Sequence, residues 1–355
     1  MEPTACLDNP LRLAEHDPKG MMKLALAFPQ QCEEAIRIFR SSGFEAPKPP
    51  IRKVVVCGMG GSAAGGDLLR CVAEEHGTVP VAICREYELP GFADSETWAV
   101  FCSYSGNTEE TLSCFEKAGE RGCQRLCITS GGKLGELAEC EGVQVIRIPG
   151  GQPPRTALGY LFLPLLLAAE QAGVVSNVDV EHLVSDLERV RDMYGPAVPL
   201  ADNGAKWLAS QLDGRIPILY GLGGYRGVVA SRWKCQINEN SKMHAFAHVL
   251  PEMNHNEIVG WTRARSQSDR FSVVLLFDGT ESERMHRRWE VTRRLIEPMP
   301  VHGIMVDARD LVARMLSMCY LGDFVSLYLA ALGETDPEEI AAINTLKAEL
   351  AKLDG

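Results

Sequence analysis

A polar segment in the second half of the chain carries two side chains that could transfer protons. It reads INENSKMHAFAHVLPEMNHNEIVGW, residues 237–261, and places Glu239 between two asparagines and His255 between two more. A carboxylate can remove a proton from carbon when it lies beside the reacting atom, and imidazole gives and takes a proton near neutral pH. The ordinary alternative for Glu239 is a solvated helix residue. The segment is a candidate for acid–base chemistry if other residues hold a substrate beside it.

Two turns rich in glycine and hydroxyl groups could hold a substrate by a phosphate. The first, CGMGGSAAGG (57–66), contains Gly61 and Ser62 and lies between an apolar strand and a helix. Glycines there let backbone N–H groups approach a phosphate, and a helix N-terminus favours negative charge. The turn also fits the dinucleotide pattern GxGxxA loosely, and a tight strand-to-helix turn without a ligand is the third interpretation.

The second turn favours a phosphorylated sugar over a nucleotide. It reads SYSGNTEET (103–111), again follows an apolar strand, and supplies the hydroxyls of Ser103, Ser105 and Thr108. Helix capping needs one hydroxyl, whereas three hydroxyls can donate to the three oxygens of one phosphate monoester. Because the carboxyl ends of parallel strands form a common binding edge, we expect both turns to bind the same phosphate.

Short apolar strands that alternate with helical segments position these turns. Uninterrupted β-branched runs of this kind predict parallel sheets covered by helices on both faces, so the predicted fold class is α/β. The runs form two groups, each opened by a strand that leads into a glycine-rich turn, which weakly indicates an internal duplication. The predicted strands are 53–57, 81–84, 98–102, 125–129 and 143–148 in the first group, and 216–221, 271–277 and 301–307 in the second.

Helices and a proline-rich linker separate the predicted domains. Residues 16–40 are predicted to be helical with an interruption at Pro29, and Asp336 and Pro337 are predicted to cap and begin a C-terminal helix. The predicted organisation is N-terminal helices and linker at 1–50, a first domain with the phosphate-binding turns at 51–155, connecting helices at 156–200, a second domain with the acid–base residues at 201–335, and the C-terminal helix at 336–355.

The composition is that of a globular, soluble protein. Of the 355 residues, 46% are hydrophobic and 23% are charged, and the length suits two domains of ordinary size. The net charge of -11 argues against general nucleic-acid binding, which depends on concentrated Lys and Arg. We expect no membrane span, and the N-terminal MEPTACLDNP lacks the features of a signal peptide, so a cytoplasmic protein is predicted.

The twelve cysteines are predicted to be small buried hydrophobic residues. None forms a CxxC pair, and the closest spacing is that of Cys123 and Cys127. Several lie inside the apolar strand runs, including Cys57, Cys84 and Cys102. In a reducing compartment such residues form neither a disulfide framework nor, at these spacings, a recognisable zinc motif. No metal site is predicted.

The sequence resembles the bifunctional phosphoglucose/phosphomannose isomerases, a branch of the phosphoglucose isomerase superfamily with two sugar-isomerase (SIS) domains. The opening segment DPKGMMKLALAFPQQCEEA is similar too, so the resemblance covers nearly the whole chain. It implies two flavodoxin-like αβα sandwich domains, a metal-independent aldose–ketose isomerase without a cofactor, and a homodimer with its active site near the subunit interface. The blocks that carry the resemblance are, in order, GMGGSAAGGD, SYSGNTEET, PRTALGY, QINENSK and PEMNHNEIVGW.

The resemblance implies a role for each matching residue. Isomerisation of glucose 6-phosphate or mannose 6-phosphate to fructose 6-phosphate moves a proton between C1 and C2 through a cis-enediol(ate). Glu239 matches the base, Arg155 the cation that stabilises the enediolate, and His255 the group that opens the sugar ring. Lys347 corresponds by its place in the C-terminal helix to a lysine that helps ring opening, and its alternative is a solvated helix lysine. The implied phosphate-binding residues are Gly61, Ser62, Ser103, Ser105 and Thr108.

Several alternatives stay open at the level of sequence. His244 and His248 lack a family match and are interpreted as ordinary polar or packing residues. The threonine associated with mannose 6-phosphate has no secure position, and Thr335 and Thr345 are the threonines near the expected place. A sugar-phosphate-sensing regulator is the alternative function, disfavoured because sensing needs no proton-transfer groups. A nicotinamide-dependent oxidoreductase rests on the GxGxxA-like turn alone.

Overall fold

The computed structural model describes residues 3–350 and 352, and the chain divides into two compact units. Each unit contains one parallel sheet, which confirms the predicted α/β fold. The boundary between the two units at Ala27 falls inside the segment 1–50, which we assign to N-terminal helices and linker. The N-terminal unit is Ala27–Glu188 with Ala308–Ser317, and the C-terminal unit is Arg189–Asp307 with the residues before Ala27 and those from Met318 onward.

The α-helices lie between and beside the strands along the described part of the chain. In chain order they are α1 (Pro10–Glu15), α2 (Met21–Leu26), α3 (Phe28–Ser41), α4 (Gly60–His76), α5 (Glu109–Glu120), α6 (Gly132–Cys140), α7 (Leu158–Gln171), α8 (Leu183–Tyr194), α9 (Gly204–Leu212), α10 (Tyr225–Ser241), α11 (Glu257–Ala264), α12 (Glu283–Ile296), α13 (Leu311–Leu332) and α14 (Ala341–Leu350).

The sheet of the N-terminal unit has five parallel strands. The order across the sheet is β2-β1-β3-β4-β5, so the chain passes from one side of β1 to the other between β2 and β3. Ligands of such sheets bind beyond the carboxyl ends of the strands at this switch point. The strands are β1 (Lys53–Cys57), β2 (Val81–Cys84), β3 (Thr97–Cys102), β4 (Gln124–Thr129) and β5 (Gln144–Arg147).

Helices cover both faces of this first sheet. Val55 and Phe101 belong to an apolar cluster with residues of α5 and α6. Gly66 of α4 packs against Val56, where a Cβ atom at Gly66 would lie 2.9 Å from the Val56 side chain. Because successive strand side chains point to opposite faces, α4 lies on the face opposite α5 and α6. The unit is therefore an αβα sandwich, as predicted.

The sheet of the C-terminal unit repeats the first four positions of that topology. Its strands are parallel and ordered β7-β6-β8-β9, which corresponds to β2-β1-β3-β4 and agrees with the expected internal duplication. Strand β7 was not among the predicted strands, because it is a partly exposed edge strand without an apolar run. The strands are β6 (Ile216–Gly221), β7 (Phe246–Val249), β8 (Phe271–Phe277) and β9 (Val301–Met305).

The predicted interruption of the N-terminal helical segment near Pro29 is present. Helix α2 ends at Leu26, and Pro29 lies in the first turn of α3, where its missing N–H costs no hydrogen bond. The prediction that the C-terminal helix begins at Asp336 is wrong, since α14 begins at Ala341. The Asp336 carboxylate instead accepts a hydrogen bond from the N–H of Glu338 over 2.8 Å in a local turn.

Helix α13 corrects the expectation that no segment has the length of a membrane span. It has 22 residues and is apolar enough to cross a membrane by length and composition. However, 89% of its most apolar window is buried inside the protein, as in the core helix of a soluble protein.

Candidate active site

The first glycine-rich turn brings the N-terminus of α4 into close backbone contact with its neighbours. A Cβ atom at Gly58 would lie 2.7 Å from the carbonyl oxygen of Cys102, and one at Gly61 would lie 2.9 Å from that of Pro154. A larger residue at either position would displace backbone. The first N–H groups of a helix have no acceptor within the helix, so the turn offers donors to an anion.

Hydrogen bonds join this turn to the second one. Ser62 is buried, and its Oγ accepts a hydrogen bond from the N–H of Tyr104 over 3.2 Å. Ser103 is also buried; its Oγ accepts from the N–H of Gly106 over 3.1 Å and lies 2.9 Å from Oγ1 of Thr108. The two predicted phosphate-binding turns therefore form one cluster of hydroxyl groups at the N-termini of α4 and α5.

The capping interpretation of the second turn does not account for Thr108. Thr108 occupies the N-cap position of α5, yet its hydroxyl bonds the Ser103 hydroxyl. Ser105, in the same turn, is exposed, and its Oγ accepts a hydrogen bond from the N–H of Asn107 over 3.2 Å. Ser105 therefore presents its hydroxyl to solvent, where a bound anion can reach it.

A third turn, which the sequence analysis missed, supports the other two. Ser130 follows β4, and its hydroxyl donates a hydrogen bond to the carbonyl of Tyr104 over 2.6 Å. A Cβ atom at Gly132 would lie 2.3 Å from the carbonyl oxygen of Ser105, so this turn packs tightly against the second. The sequence contains a signal for this turn, because ITSGG again places a hydroxyl and glycines directly after an apolar strand.

Arg155 lies beside the hydroxyl cluster. It follows β5 in a short 3-10 turn, Pro154–Thr156, and only 4% of its surface is exposed, so it is not a surface arginine. A Cβ atom at Gly61 would lie 3.1 Å from Cα of Arg155, which places the arginine next to the N-terminus of α4. A guanidinium group and a helix N-terminus together favour a phosphorylated ligand.

Glu239 lies in the last turn of α10 in the C-terminal unit. The residue is half-buried. Its carbonyl accepts a hydrogen bond from Nζ of Lys242 over 2.6 Å, and Lys242 ends the helix in a left-handed conformation with a φ of 56°. The neighbouring Asn240 donates to Oγ of Ser326 over 2.9 Å and ties this turn to α13. The end of α10 that carries Glu239 is thus held in place.

His255 is exposed at the end of a 3-10 turn, Glu252–His255. Its two asparagine neighbours anchor the backbone on either side. Asn254 donates to Oγ1 of Thr292 over 2.8 Å, and the side chain of Asn256 caps α11 by accepting from the N–H of Glu257 over 2.6 Å. The amides around both candidate acid–base residues therefore fix main-chain segments.

The other two histidines of this segment make local contacts. The ring of His244 stacks on Phe246 with 6.4 Å between centroids. Nδ1 of His248 accepts a hydrogen bond from the N–H of Val249 over 2.9 Å. These contacts fit the prediction of ordinary packing or polar residues.

The glycine-rich turn of the C-terminal unit, Gly221–Gly224, is unsuited to a phosphate. Arg226, at the start of α10, forms ion pairs with Asp278 and Glu281. Burial alone would raise the pKa of Asp278, but hydrogen bonds from Tyr225 and Arg226 outweigh burial and lower that pKa to about 2. A phosphate at this helix N-terminus would meet ionised carboxylates, whereas the turns of the N-terminal unit offer hydroxyls.

Lys347 lies on α14, where every residue from 341 to 350 is exposed. Thr345 shares that exposed helix, and Thr335 donates its hydroxyl to the carbonyl of Ala330 over 3.3 Å. Lys347 is thus placed as a solvated helix lysine would be.

The structure brings five predicted residues together in the N-terminal unit, while Glu239, His255 and Lys347 belong to the C-terminal unit. The five are Gly61, Ser62, Ser103, Thr108 and Arg155.

Comparison with known proteins decides the family. A model of the bacterial phospho-glucose isomerase C-terminal SIS domain matches residues 201–350. The chain is 42% identical over 337 residues to the bifunctional phosphoglucose/phosphomannose isomerase of Caldicellulosiruptor bescii, which covers 94% of this chain and 99% of that relative. The chain belongs to the bifunctional phosphoglucose/phosphomannose isomerase family. A relative of the same name from Aquifex aeolicus is 38% identical over 307 residues, 85% of this chain and 92% of the relative.

A solved structure supports the fold of this phosphoglucose/phosphomannose isomerase family member. A hypothetical protein from Thermus thermophilus matches with a TM-score of 0.75 and 18% identity over 98% of this chain and 94% of its own. That likeness concerns the fold alone. The family membership itself confirms the prediction from sequence that the chain is an isomerase with SIS domains.

Proposed function

We propose that this protein interconverts glucose 6-phosphate and mannose 6-phosphate with fructose 6-phosphate in the cytoplasm. The observation that carries the proposal is the cluster of hydroxyls from Ser62, Ser103 and Thr108 at two helix N-termini beside the buried Arg155. Such a cluster suits one phosphate monoester, and the names of the relatives point to hexose phosphates.

The phosphate anchors the substrate by a group that does not react. Each hydrogen bond to a charged oxygen contributes about 1.5–3 kcal/mol, and two helix N-termini add favourable electrostatics. Gly61 and Ser105 complete the predicted set of phosphate-binding residues. Binding energy from this remote group holds C1 and C2 in a fixed position for proton transfer.

The proton transfer uses Glu239 as the base. Its carboxylate takes the proton from C2 of the open-chain aldose, a C1–C2 double bond forms, and negative charge develops on the oxygen at C1. Arg155 stabilises this cis-enediolate. The hydroxyl proton at O2 moves to O1, and Glu239 returns its proton to C1, which leaves the carbonyl at C2 and gives the ketose.

The ring of the substrate must open before this step. His255 donates a proton to the ring oxygen, the bond between C1 and that oxygen breaks, and the C1 hydroxyl gives its proton to solvent water; Lys347 assists. His255 is exposed in the single chain, which fits a residue placed at the interface of a homodimer. We infer that the enzyme is a homodimer from its resemblance to the family.

Turnover assays with glucose 6-phosphate and mannose 6-phosphate side by side test the proposal. We expect fructose 6-phosphate from both substrates, and no product from unphosphorylated glucose because the anchor is then missing. Product from glucose 6-phosphate alone would restrict the proposal to one substrate. Binding of fructose 6-phosphate without any turnover would contradict it and favour the sensing regulator.

A further inference from the structure

Three cysteines that are far apart in the sequence meet in the core of the N-terminal unit. Cys57 ends β1, Cys84 ends β2, and Cys114 lies in the second turn of α5. Their sulfur atoms all lie within 4.8 Å of one another, and those of Cys84 and Cys114 are 3.7 Å apart. Their exposed fractions are 1%, 6% and 1%. We call these residues the thiol cluster.

The separations within the thiol cluster match those of sulfur ligands around one metal ion. Zinc–sulfur bonds of about 2.3 Å at tetrahedral angles place two sulfur atoms about 3.8 Å apart. The distance of 3.7 Å between the sulfur atoms of Cys84 and Cys114 is close to this value. All sulfur–sulfur distances in the cluster are at most 4.8 Å, so the others need only a small decrease when a cation binds. Packing of small hydrophobic residues explains two buried cysteines in contact. The informative feature is that three sulfur atoms converge.

Main-chain oxygens border the same cluster. The thiol of Cys84 donates to the carbonyl of Glu88 over 3.2 Å, and that of Cys114 donates to the carbonyl of Glu86 over 3.2 Å. The loop after β2 therefore supplies oxygen atoms beside the sulfurs. A carbonyl from this loop, or a water molecule, can complete the four-coordinate shell that zinc prefers.

We propose that Cys57, Cys84 and Cys114 bind one soft, thiophilic divalent cation of the zinc type. Binding replaces three S–H bonds by three metal–sulfur bonds, so three protons leave to solvent and no electron is transferred. Thiolate ligands select such cations over magnesium or calcium. The site is separate from the isomerisation chemistry, for which no metal is invoked.

The position of the thiol cluster links it to the phosphate-binding turns. Cys57 directly precedes Gly58, and Cys114 lies in the helix that begins after Thr108. A bound cation would fix the relative positions of β1, β2 and α5. We expect it to change KM for the sugar phosphate more than kcat; this consequence rests on the proposed function, whereas cation binding itself does not.

The proposal is tested by titrating the reduced, metal-free, full-length protein with Cd²⁺ and following the ultraviolet charge-transfer absorption of cadmium–thiolate bonds. We expect one Cd²⁺ per chain and loss of the band in the double variant Cys84→Ser/Cys114→Ser. The matched control, Cys140→Ser/Cys235→Ser, removes two exposed thiols and keeps the band. A band that survives in the first variant, or is lost in the control, overturns the proposal.

A second measurement needs no variant and covers the case in which the cluster variants fail to fold. X-ray absorption at the zinc edge of the unmutated protein, loaded with one equivalent of Zn²⁺, reports the ligand atoms directly. We expect a sulfur-dominated shell at about 2.3 Å. A shell of nitrogen and oxygen alone overturns the proposal, whatever the isomerase activity of the same sample.

Discussion

At the scale of single residues, the phosphate-binding proposal depends on hydroxyls whose orientation is already fixed. Ser103 accepts a hydrogen bond from the backbone N–H of Gly106, so its own proton points elsewhere, to Thr108 or to a ligand. Ser62 is held in the same way by the N–H of Tyr104. Groups that are oriented before the substrate arrives lose little conformational entropy on binding.

We expect Ser103→Ala to raise KM for glucose 6-phosphate about 10- to 150-fold, the equivalent of one hydrogen bond to a charged group, with a smaller change in kcat. Steady-state kinetics measure both constants. Ser113→Ala is the matched control, because Ser113 lies on α5 and its hydroxyl donates to the carbonyl of Tyr87. An unchanged KM in Ser103→Ala would exclude this residue from phosphate binding.

The sequence allowed prediction of those site residues whose signal is local. Ser103 directly follows β3, and Ser62 lies in the first turn of the helix that follows β1, so their clustering could be inferred from the topology of a parallel sheet. The burial of Arg155 could not be inferred, because it results from the close approach of Gly61 in a different segment. The thiol cluster was likewise hidden, since its members come from three separate elements.

At the scale of elements, the packing of α10 against α13 keeps Glu239 in place. Trp233 of α10 is fully buried, and its Nε1 donates to the carbonyl of Met318 over 2.8 Å. Near the end of α10, Asn240 donates to Ser326 of α13 over 2.9 Å. These contacts require a small residue on α13, which is Gly322: a Cβ atom there would lie 2.3 Å from Nε1 of Trp233.

We therefore expect Gly322→Ala to lower the free energy of unfolding by about 1–3 kcal/mol through overpacking. The matched control is Gly260→Ala in α11, where a Cβ atom meets nothing within 4 Å. That control should be stabilised by about 0.5–1 kcal/mol, since alanine is the better helix former. Urea unfolding of both variants measures the difference, and equal stabilities would show that α10 and α13 can move apart at no cost.

The stability of the paired strands β8 and β9 is expected to depend on pH through His302. His302 of β9 lies 3.0 Å from Oγ of Ser272 and stacks edge-on against Trp207 at 5.3 Å. Burial lowers the pKa of His302, and the charge of Arg215 lowers it further. The folded state thus disfavours protonation, so its contribution to stability is present above the unfolded pKa of about 6.5 and is lost as the pH falls through the lower folded pKa.

We expect the free energy of unfolding to decrease from pH 7 to pH 5 by a smaller amount in His302→Gln than in the unmutated protein. Urea unfolding followed by tryptophan fluorescence at several pH values measures this slope. His182→Gln, which changes an exposed histidine, serves as the control and should keep the original slope. Identical slopes in all three proteins would exclude His302 as the source.

Elements with an apolar run were predictable, and those without one were not. Strands β1 and β6 are buried apolar runs, and such runs can be recognised as strands from sequence. Strand β7 is a short, partly exposed edge strand whose apolar residues are interrupted by His248. The start of α14 was placed too early because Asp336 forms a turn of its own with Glu338 and does not cap the helix.

At the scale of the whole molecule, one topology occurs twice with different polar groups at the corresponding turn. The N-terminal unit surrounds its helix N-termini with hydroxyls and Arg155, whereas the C-terminal unit closes its turn with Asp278 and Glu281. The duplication of an α/β unit was predicted from sequence, but the order of its strands was not, because β7 was missed. The difference between the two turns could not be predicted either, because Asp278 reaches Arg226 only through the pairing of β6 with β8.

The proposed function gives the two units distinct tasks: the N-terminal unit binds the phosphate, and the C-terminal unit contributes Glu239 for proton transfer. The carboxylate of Glu239 distinguishes an isomerase from a sensor, since a phosphate site alone would also serve a sensor.

The decisive measurement is the turnover of glucose 6-phosphate by Glu239→Gln, with Glu290→Gln on an exposed face of α12 as the control. The amide retains the shape of the side chain but cannot accept the proton, so we expect kcat to fall by about two to four orders of magnitude. Binding of fructose 6-phosphate, measured by calorimetry, should persist and the control should retain full turnover. Turnover of Glu239→Gln near the unmodified rate would contradict the assignment of the base.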